Sequence, residues 1–219
     1  MTIWILRAIV VLICITIHEF FHGYTAFKLG DDTAKRAGRL TLNPIKHIDP
    51  IGTLMLFIAS FGWAKPVPVN PYNFNNMKTS MAITAAAGPI SNFIFAILSA
   101  LLLKLLVSIN GIDVTKIMHS GTVTFDFWIL SFLQLTIMIN IALGLFNLLP
   151  LPPLDGSKIL GGFMNDDMYF RWMEFEQKGA YLLIGILLIS YIFNIPVISS
   201  LIMPPLQYFT SILMDFSLK

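Results

Sequence analysis

The sequence is poor in charged residues, which make up 12% of its 219 residues, whereas hydrophobic residues make up 56%. Soluble domains usually carry about 25% charged residues, so this chain lacks the polar groups that a water-exposed surface needs. We therefore expect an integral membrane protein. The length suits one compact bundle, and we expect a single domain over residues 1–219, with a core over 1–162 and a C-terminal part over 163–219.

Cysteine is nearly absent. The single Cys14 excludes an internal disulfide and carries no information about the redox compartment. It lies one helical turn before His18, where a small buried apolar residue is a simpler interpretation than a ligand. Cys-rich fingers and a basic face interleaved with aromatic residues are also absent, so we expect no nucleic-acid partner.

Long apolar runs, in contrast, fill most of the chain. They predict an all-α polytopic membrane protein with a bundle of about five transmembrane helices, since about 20 apolar residues cross a bilayer. We expect these helices over residues 3–27, 79–107, 127–149, 179–193 and 197–216. Gly88-Pro89 should bend or interrupt the second helix, and Pro204-Pro205 should interrupt the fifth.

Two shorter segments separate the first two predicted helices. Residues 50–62 are apolar and glycine-rich but too short to cross the bilayer, so we predict a re-entrant or interfacial segment. Residues 63–76 include Pro66, Pro68 and Pro71. This density of proline excludes a helix and favours an extended or edge-strand segment.

The basic residues are unevenly distributed between the loops. The predicted loop at residues 108–126 has only Lys116 as a base, whereas the loop after the first helix is rich in them. Because basic loops stay in the cytoplasm, we expect the loop after the first helix on that side and the N-terminus outside. Its basic residues are Lys28, Lys35, Arg36, Arg39 and Lys46.

A polar cluster interrupts the first apolar run at His18, Glu19 and His22. Positions i and i+4 of a helix share one face, so both histidines can reach one ion. H-E-x-x-H on a helix is typical of zinc metalloproteases, in which the histidines are ligands and the glutamate is a general base. A cluster that only stabilises the helix is disfavoured, because ionisable groups inside a membrane are usually functional.

A catalytic zinc takes three protein ligands and leaves one position open. His119 lies in the predicted outside loop and is set aside, whereas His47, beside Asp49 in the cytoplasmic loop, remains an alternative. Asp155 is the better candidate, because the predicted topology puts it at the same side of the membrane as the two histidines. Considered alone, Asp155 before Gly156 would be a turn residue.

These residues resemble the site-2 protease family of intramembrane zinc metalloproteases. Residues 147–156 are similar to the family's N-x-x-P-x-x-x-x-D-G motif, and residues 88–92 are similar to its G-P-x-x-N element. Residues 63–70 resemble its extended segment near the active site. The resemblance covers roughly residues 13–162 and is to a compact prokaryotic-type member without a PDZ or CBS domain.

The resemblance implies one Zn²⁺ per chain, held by His18, His22 and Asp155, with Glu19 as the general base that activates water. It also implies that the substrate is a transmembrane segment of another protein, cleaved in regulated intramembrane proteolysis. The expected location is the lipid bilayer of a prokaryotic plasma membrane, with the active site towards the cytoplasm. A regulatory membrane partner is left open.

Two further roles are expected near the metal. Asn92 is a candidate donor to the developing oxyanion, and an interhelical hydrogen bond or a helix cap is an equal alternative. An unwound substrate is expected to pair as a strand with residues 67–70. The alternative is that these residues form a structural hairpin. The substrate-binding candidates are Val67, Pro68, Val69 and Asn70.

The alternative function is a membrane zinc transporter, or a metal-binding membrane protein without protease activity. Transporters need ligands along a path and often contain internal repeats. The sequence has one metal-binding cluster and no clear repeat, and transport does not require Glu19. Proteolysis is therefore the favoured prediction.

Overall fold

The computed structural model describes residues 2–52, 63–110, 114, 117, 124–176 and 178–218. Within these residues the regular elements are helices, with two 3-10 turns at Pro44–His47 and Pro71–Asn73. The α-helices are α1 (Thr2–Lys28), α2 (Thr33–Arg36), α3 (Met77–Asn110), α4 (Phe125–Asn147), α5 (Asp155–Gly161), α6 (Asp166–Glu176), α7 (Gly179–Ile192) and α8 (Val197–Leu218).

Four of these helices, α1, α3, α4 and α8, are long and apolar enough to cross a membrane. A fifth apolar helix, α7, contains the shorter apolar stretch Tyr181–Ser190. A helix satisfies its own backbone hydrogen bonds, so it suits a solvent that offers none. The prediction of an all-α polytopic membrane protein is confirmed, with four long spans and one shorter apolar helix in the described residues.

The core of the bundle lies between α3 and α4. Ala96 and Ala100 lie one turn apart on α3 and are fully buried, which lets the two helices approach closely. The larger buried side chains of this cluster are Leu103, Leu130, Leu133, Ile137 and Ile141. Helices α1 and α8 both pack against this pair, so the helix that carries His18 and His22 lies against the two helices that form the core.

The interruption predicted at Pro204-Pro205 does not occur, and of the bend or interruption predicted at Gly88-Pro89 the interruption does not occur. Helix α3 continues through Pro89, and α8 continues through Pro204 and Pro205. Proline is tolerated inside membrane helices where neighbouring groups satisfy the polar atoms that it leaves free.

The predicted edge strand has no counterpart in the described residues, where residues 63–70 have no regular structure. Prolines remove two of the N–H groups that a strand would use, and side chains accept others. Val67 N donates to Glu19 and Asn70 N donates to Asp31. The predicted re-entrant segment lies almost entirely in residues 53–62, outside the described residues.

Candidate active site

Three side chains from distant parts of the sequence meet beside α1. The Nε2 atoms of His18 and His22 lie 2.9 Å apart, and they lie 3.1 and 3.2 Å from Asp155 Oδ2. All three residues are buried. In the part of the chain that the structure describes, they form the group of side chains that could hold a metal ion.

The approach of Asp155 to the histidines depends on a close backbone contact. Asp155 is the first residue of α5, and Gly156 follows it. A Cβ at Gly156 would lie 2.3 Å from the carbonyl oxygen of Leu148 and 2.4 Å from that of Leu149. Only glycine therefore lets the start of α5 pack against the end of α4, which brings the carboxylate to the two imidazoles.

Helix α3 provides the hydrogen-bond acceptors for the Nδ1 atoms of both histidines. His18 Nδ1 lies 2.6 Å from Asn92 Oδ1, and His22 Nδ1 lies 2.7 Å from the carbonyl oxygen of Thr84. Because a carbonyl oxygen only accepts, each Nδ1 donates its hydrogen and each neutral ring keeps its lone pair on Nε2. Thr84, Gly88 and Asn92 are four residues apart and share one face of α3.

A metal cation fits between the Nε2 atoms of the two histidines and Oδ2 of Asp155. Two imidazole lone pairs and a carboxylate oxygen converge, and Asp155 Oδ2 has no hydrogen-bond donor among the described residues. These electron-pair donors repel one another in a buried site unless a cation lies among them. Tetrahedral zinc with bonds of about 2.05 Å separates its ligands by about 3.3 Å, close to the observed 2.9–3.2 Å.

The Asp155 carboxyl responds strongly to positive charge at this site. Burial raises its pKa, but imidazoles of His22 and His18 that carry a proton on Nε2 would outweigh burial and hold the pKa well below its usual range. A metal cation among the three atoms would take the place of those protons and keep Asp155 a carboxylate, the form that binds a cation.

Gly88 allows α3 to lie directly against the histidine rings. A Cβ at this position would lie 2.5 Å from Cε1 and Nε2 of His22 and 2.6 Å from Cε1 of His18. The rings cannot move aside freely, because hydrogen bonds to α3 hold them. Gly88, which together with Pro89 was expected to bend or interrupt the second helix, therefore leaves space for the imidazole rings of the metal-site histidines.

Glu19 borders a cavity of about 800 Å³ that is also lined by His18, His22 and Asp155. Its Oε2 accepts a hydrogen bond from Val67 N at 2.8 Å. Much of the cavity wall is apolar and comes from α4 and α7, including Leu143, Phe146, Leu183 and Leu187. A carboxylate base, the metal-site residues and an apolar wall therefore face the same space.

The predicted substrate-binding residues lie at this cavity only in part. Val67 and Val69 line it, whereas Pro68 and Asn70 do not. His47, the alternative third ligand, is outside the metal group. Its Nε2 lies 2.9 Å from the carbonyl oxygen of Thr41, whereas its buried Nδ1 has no hydrogen-bond partner among the described residues.

Asn92 lies behind His18 and not in the cavity wall. Its Nδ2 lies 2.7 Å from Asn140 Oδ1 and 3.4 Å from the carbonyl oxygen of Cys14. Both amide hydrogens have acceptors, so the geometry favours the interhelical hydrogen bond, and the oxyanion role stays a prediction. Asn140 was not predicted as part of this network, although an amide inside an apolar run signals an interhelical partner.

A candidate metal site with an adjacent carboxylate, set in a bundle of apolar helices, is typical of membrane zinc metalloproteases. Peptidase family M50 matches residues 6–192. The chain therefore belongs to this family, the site-2 protease family, and the resemblance recognised from its motifs is confirmed.

Several curated proteins are similar to the chain. It is 40% identical to "Putative zinc metalloprotease YwhC" of Bacillus subtilis, over 78% of this chain and 74% of that protein. It is 30% identical to "Putative zinc metalloprotease Rip2" of Mycolicibacterium smegmatis, over 84% and 66%, and 32% identical to Rip2 of Mycobacterium tuberculosis, over 68% and 53%. The chain thus spans only part of these relatives. No solved structure matches it significantly.

The close approach at Gly88 can be tested by Gly88→Ala. The added methyl group would displace the two imidazoles, so we expect less zinc per purified chain, measured by atomic absorption. Gly185→Ala is the matched control, because a Cβ there meets no atom within 4 Å. Equal zinc content in both variants would contradict this role for Gly88.

The two interpretations of Asn92 are distinguished by Asn92→Ala. Loss of the hydrogen bond to His18 should weaken zinc binding about 10- to 100-fold, measured by competition with a chelator. If Asn92 instead served the oxyanion, zinc affinity would stay at the wild-type value and only kcat at saturating zinc would fall.

Proposed function

We propose that this protein is an intramembrane zinc endopeptidase that hydrolyses peptide bonds in or near transmembrane segments of substrate proteins. The observation that carries the proposal is the shared cavity, in which Glu19 and the three metal-site residues face apolar walls. Such a cavity suits an apolar peptide, and the carboxylate beside a metal suits hydrolysis more than transport. We propose one Zn²⁺ per chain and the whole of residues 1–219 as one protease domain.

The chain's own residues have separate roles in this mechanism. His18, His22 and Asp155 would hold a zinc ion, and that ion would supply Lewis-acid chemistry towards water and the scissile carbonyl. Glu19 takes a proton from the attacking water and later delivers it to the leaving amide nitrogen. Asn92 fixes the ring of His18 in this scheme through its hydrogen bond to Nδ1.

A transmembrane substrate must unwind before it is cleaved, because a helix hides its peptide bonds in internal hydrogen bonds. We propose that the unwound substrate lies along residues 67–70, where Val67 and Val69 contribute to the cavity wall. An arriving carbonyl group would compete with Glu19 for the N–H of Val67. Substrate pairing would then release the carboxylate that acts as the base.

We place the protein in a prokaryotic plasma membrane with the active site towards the cytoplasm. The basic loop that follows α1 supports this orientation. We further propose that cleavage serves regulated intramembrane proteolysis, with the lipid bilayer and a transmembrane protein as partners. A regulatory membrane partner is compatible with this role.

Glu19→Gln tests the reaction. The amide oxygen can still accept from Val67 N, but it cannot take a proton, so zinc content should remain while cleavage falls about 100- to 10,000-fold. The assay follows cleavage of a single-span polypeptide in proteoliposomes, with Glu174→Gln on the exposed side of α6 as the control. Wild-type cleavage by Glu19→Gln would reject the proposal, whereas altered zinc flux would favour transport.

The orientation is tested by single cysteines, because Cys14 is fully buried. Tyr72→Cys, at a residue that is 80% exposed near the site, should react with an impermeant maleimide only in inverted vesicles. Phe125→Cys, at the other end of α4 from residue 147, should react in intact cells. The reverse pattern would show that the active site faces outwards.

A further inference from the structure

Asp31 follows the end of α1 and is fully buried, although it lies outside the membrane-spanning helix. Its carboxylate accepts four hydrogen bonds. Two come from Thr33, through its backbone N and its hydroxyl. The other two come from the distant segment after residue 63, from Asn70 N at 2.7 Å and Asn73 Nδ2 at 2.7 Å.

These donors, and not an opposite charge, stabilise the buried carboxylate. Burial acts to raise the pKa of Asp31, but the hydrogen bonds from Thr33, Asn70 and Asn73 outweigh it and lower the pKa. Asp31 is therefore ionised at neutral pH and uses both of its oxygens as acceptors. A neutral amide of the same shape cannot do this, because one of its two positions is a donor.

Asp31 and Glu19 hold the same segment at two points. Glu19 accepts from Val67 N, and Asp31 accepts from Asn70 N three residues later. Between them, Gly23 lets Val67 lie close to α1, since a Cβ at Gly23 would be 3.1 Å from Val67 Cγ1. The segment over residues 67–70 is thus fixed against the helix that carries the catalytic motif.

We propose that Asp31 is a positioning residue for proteolysis, which fixes residues 67–70 in register with Glu19 so that a substrate strand docks with its scissile bond at the metal site. This inference rests on the proposed function. A purely local turn before α2 would need only the two bonds from Thr33. The two bonds to residues 70 and 73 are what connect Asp31 to the substrate-binding segment.

Asp31→Asn tests this role with little change in shape. If the amide oxygen keeps the bonds from Thr33 and Asn73, the amide NH₂ group faces the N–H of Asn70, and the segment loses that hydrogen bond. The matched control is Asp32→Asn, because the neighbouring Asp32 is half exposed and pairs with Arg36 on α2. Both variants are assayed as full-length protein in proteoliposomes.

The kinetic readout uses, as the substrate, a single-span polypeptide with a Gly-Asn pair in its apolar segment. The pair weakens the helix there, so that the segment can unwind. For Asp31→Asn we expect KM to rise about tenfold, the equivalent of one hydrogen bond to a charged group, with kcat within about twofold of wild type. Zinc content should stay unchanged, and Asp32→Asn should match the wild type. Asn73→Ala should raise KM in the same direction by a smaller factor.

A second readout does not depend on cleavage. In a Glu19→Gln background, the cysteine of Val69→Cys is cross-linked to single cysteines placed one at a time along the substrate polypeptide. We expect a disulfide at one preferred position of the substrate. Adding Asp31→Asn should spread or abolish that preference. If the wild type fails to cleave but this cross-link depends on Asp31, the proposed function is wrong, whereas the role of Asp31 in positioning a bound transmembrane polypeptide along residues 67–70 stands.

Three results would overturn the inference. One is an unchanged KM and cross-linking pattern in Asp31→Asn. Another is a loss of zinc together with kcat, which would indicate general damage to the site. If Asp31→Asn does not fold, Asn73→Ala decides, and a folded Asn73→Ala protein with wild-type KM and cross-linking would also reject the role.

Discussion

The structure depends on the convergence of three electron-pair donors in an apolar bundle. The Nε2 atoms of His18 and His22 and one oxygen of Asp155 face one another at hydrogen-bond distances, yet the histidine hydrogens point elsewhere. In a low-dielectric interior this arrangement is unfavourable without a positive charge at its centre. The hydrogen bonds to Asn92 and Thr84 and the close contacts at Gly88 and Gly156 bring these atoms together.

Two glycines illustrate how the backbone serves that purpose. Gly88 removes a side chain where α3 meets the imidazoles, and Gly156 removes one where α5 meets the end of α4. Each contact involves a distance that no other residue allows. The ligands therefore come from rigid helices whose spacing is set by missing side chains, and flexible loops contribute none of the three.

Much of this arrangement could be predicted from sequence, because helix periodicity and apolar length are local properties. The pairing of His18 with His22 follows from four-residue spacing, and Asp155 follows from topology and motif.

The acceptor for His22 could not be predicted, since it is the backbone carbonyl of Thr84 and every residue has one. The contacts of Asp31 could not be predicted for a similar reason, because two of its four donors are backbone N–H groups. The predicted edge strand does not form, because prolines remove two of its N–H groups and the side chains of Glu19 and Asp31 accept those of Val67 and Asn70.

The shared face of α3 has a consequence for the whole bundle. Because one rigid helix supports both imidazoles while α5 supplies the carboxylate, a bound ion would act as a cross-link between α1 and α5, with α3 as its brace. Metal binding and helix packing are then thermodynamically linked, and each strengthens the other by the same free energy. An ion at this site would therefore stabilise the packing of the bundle as well as take part in the reaction.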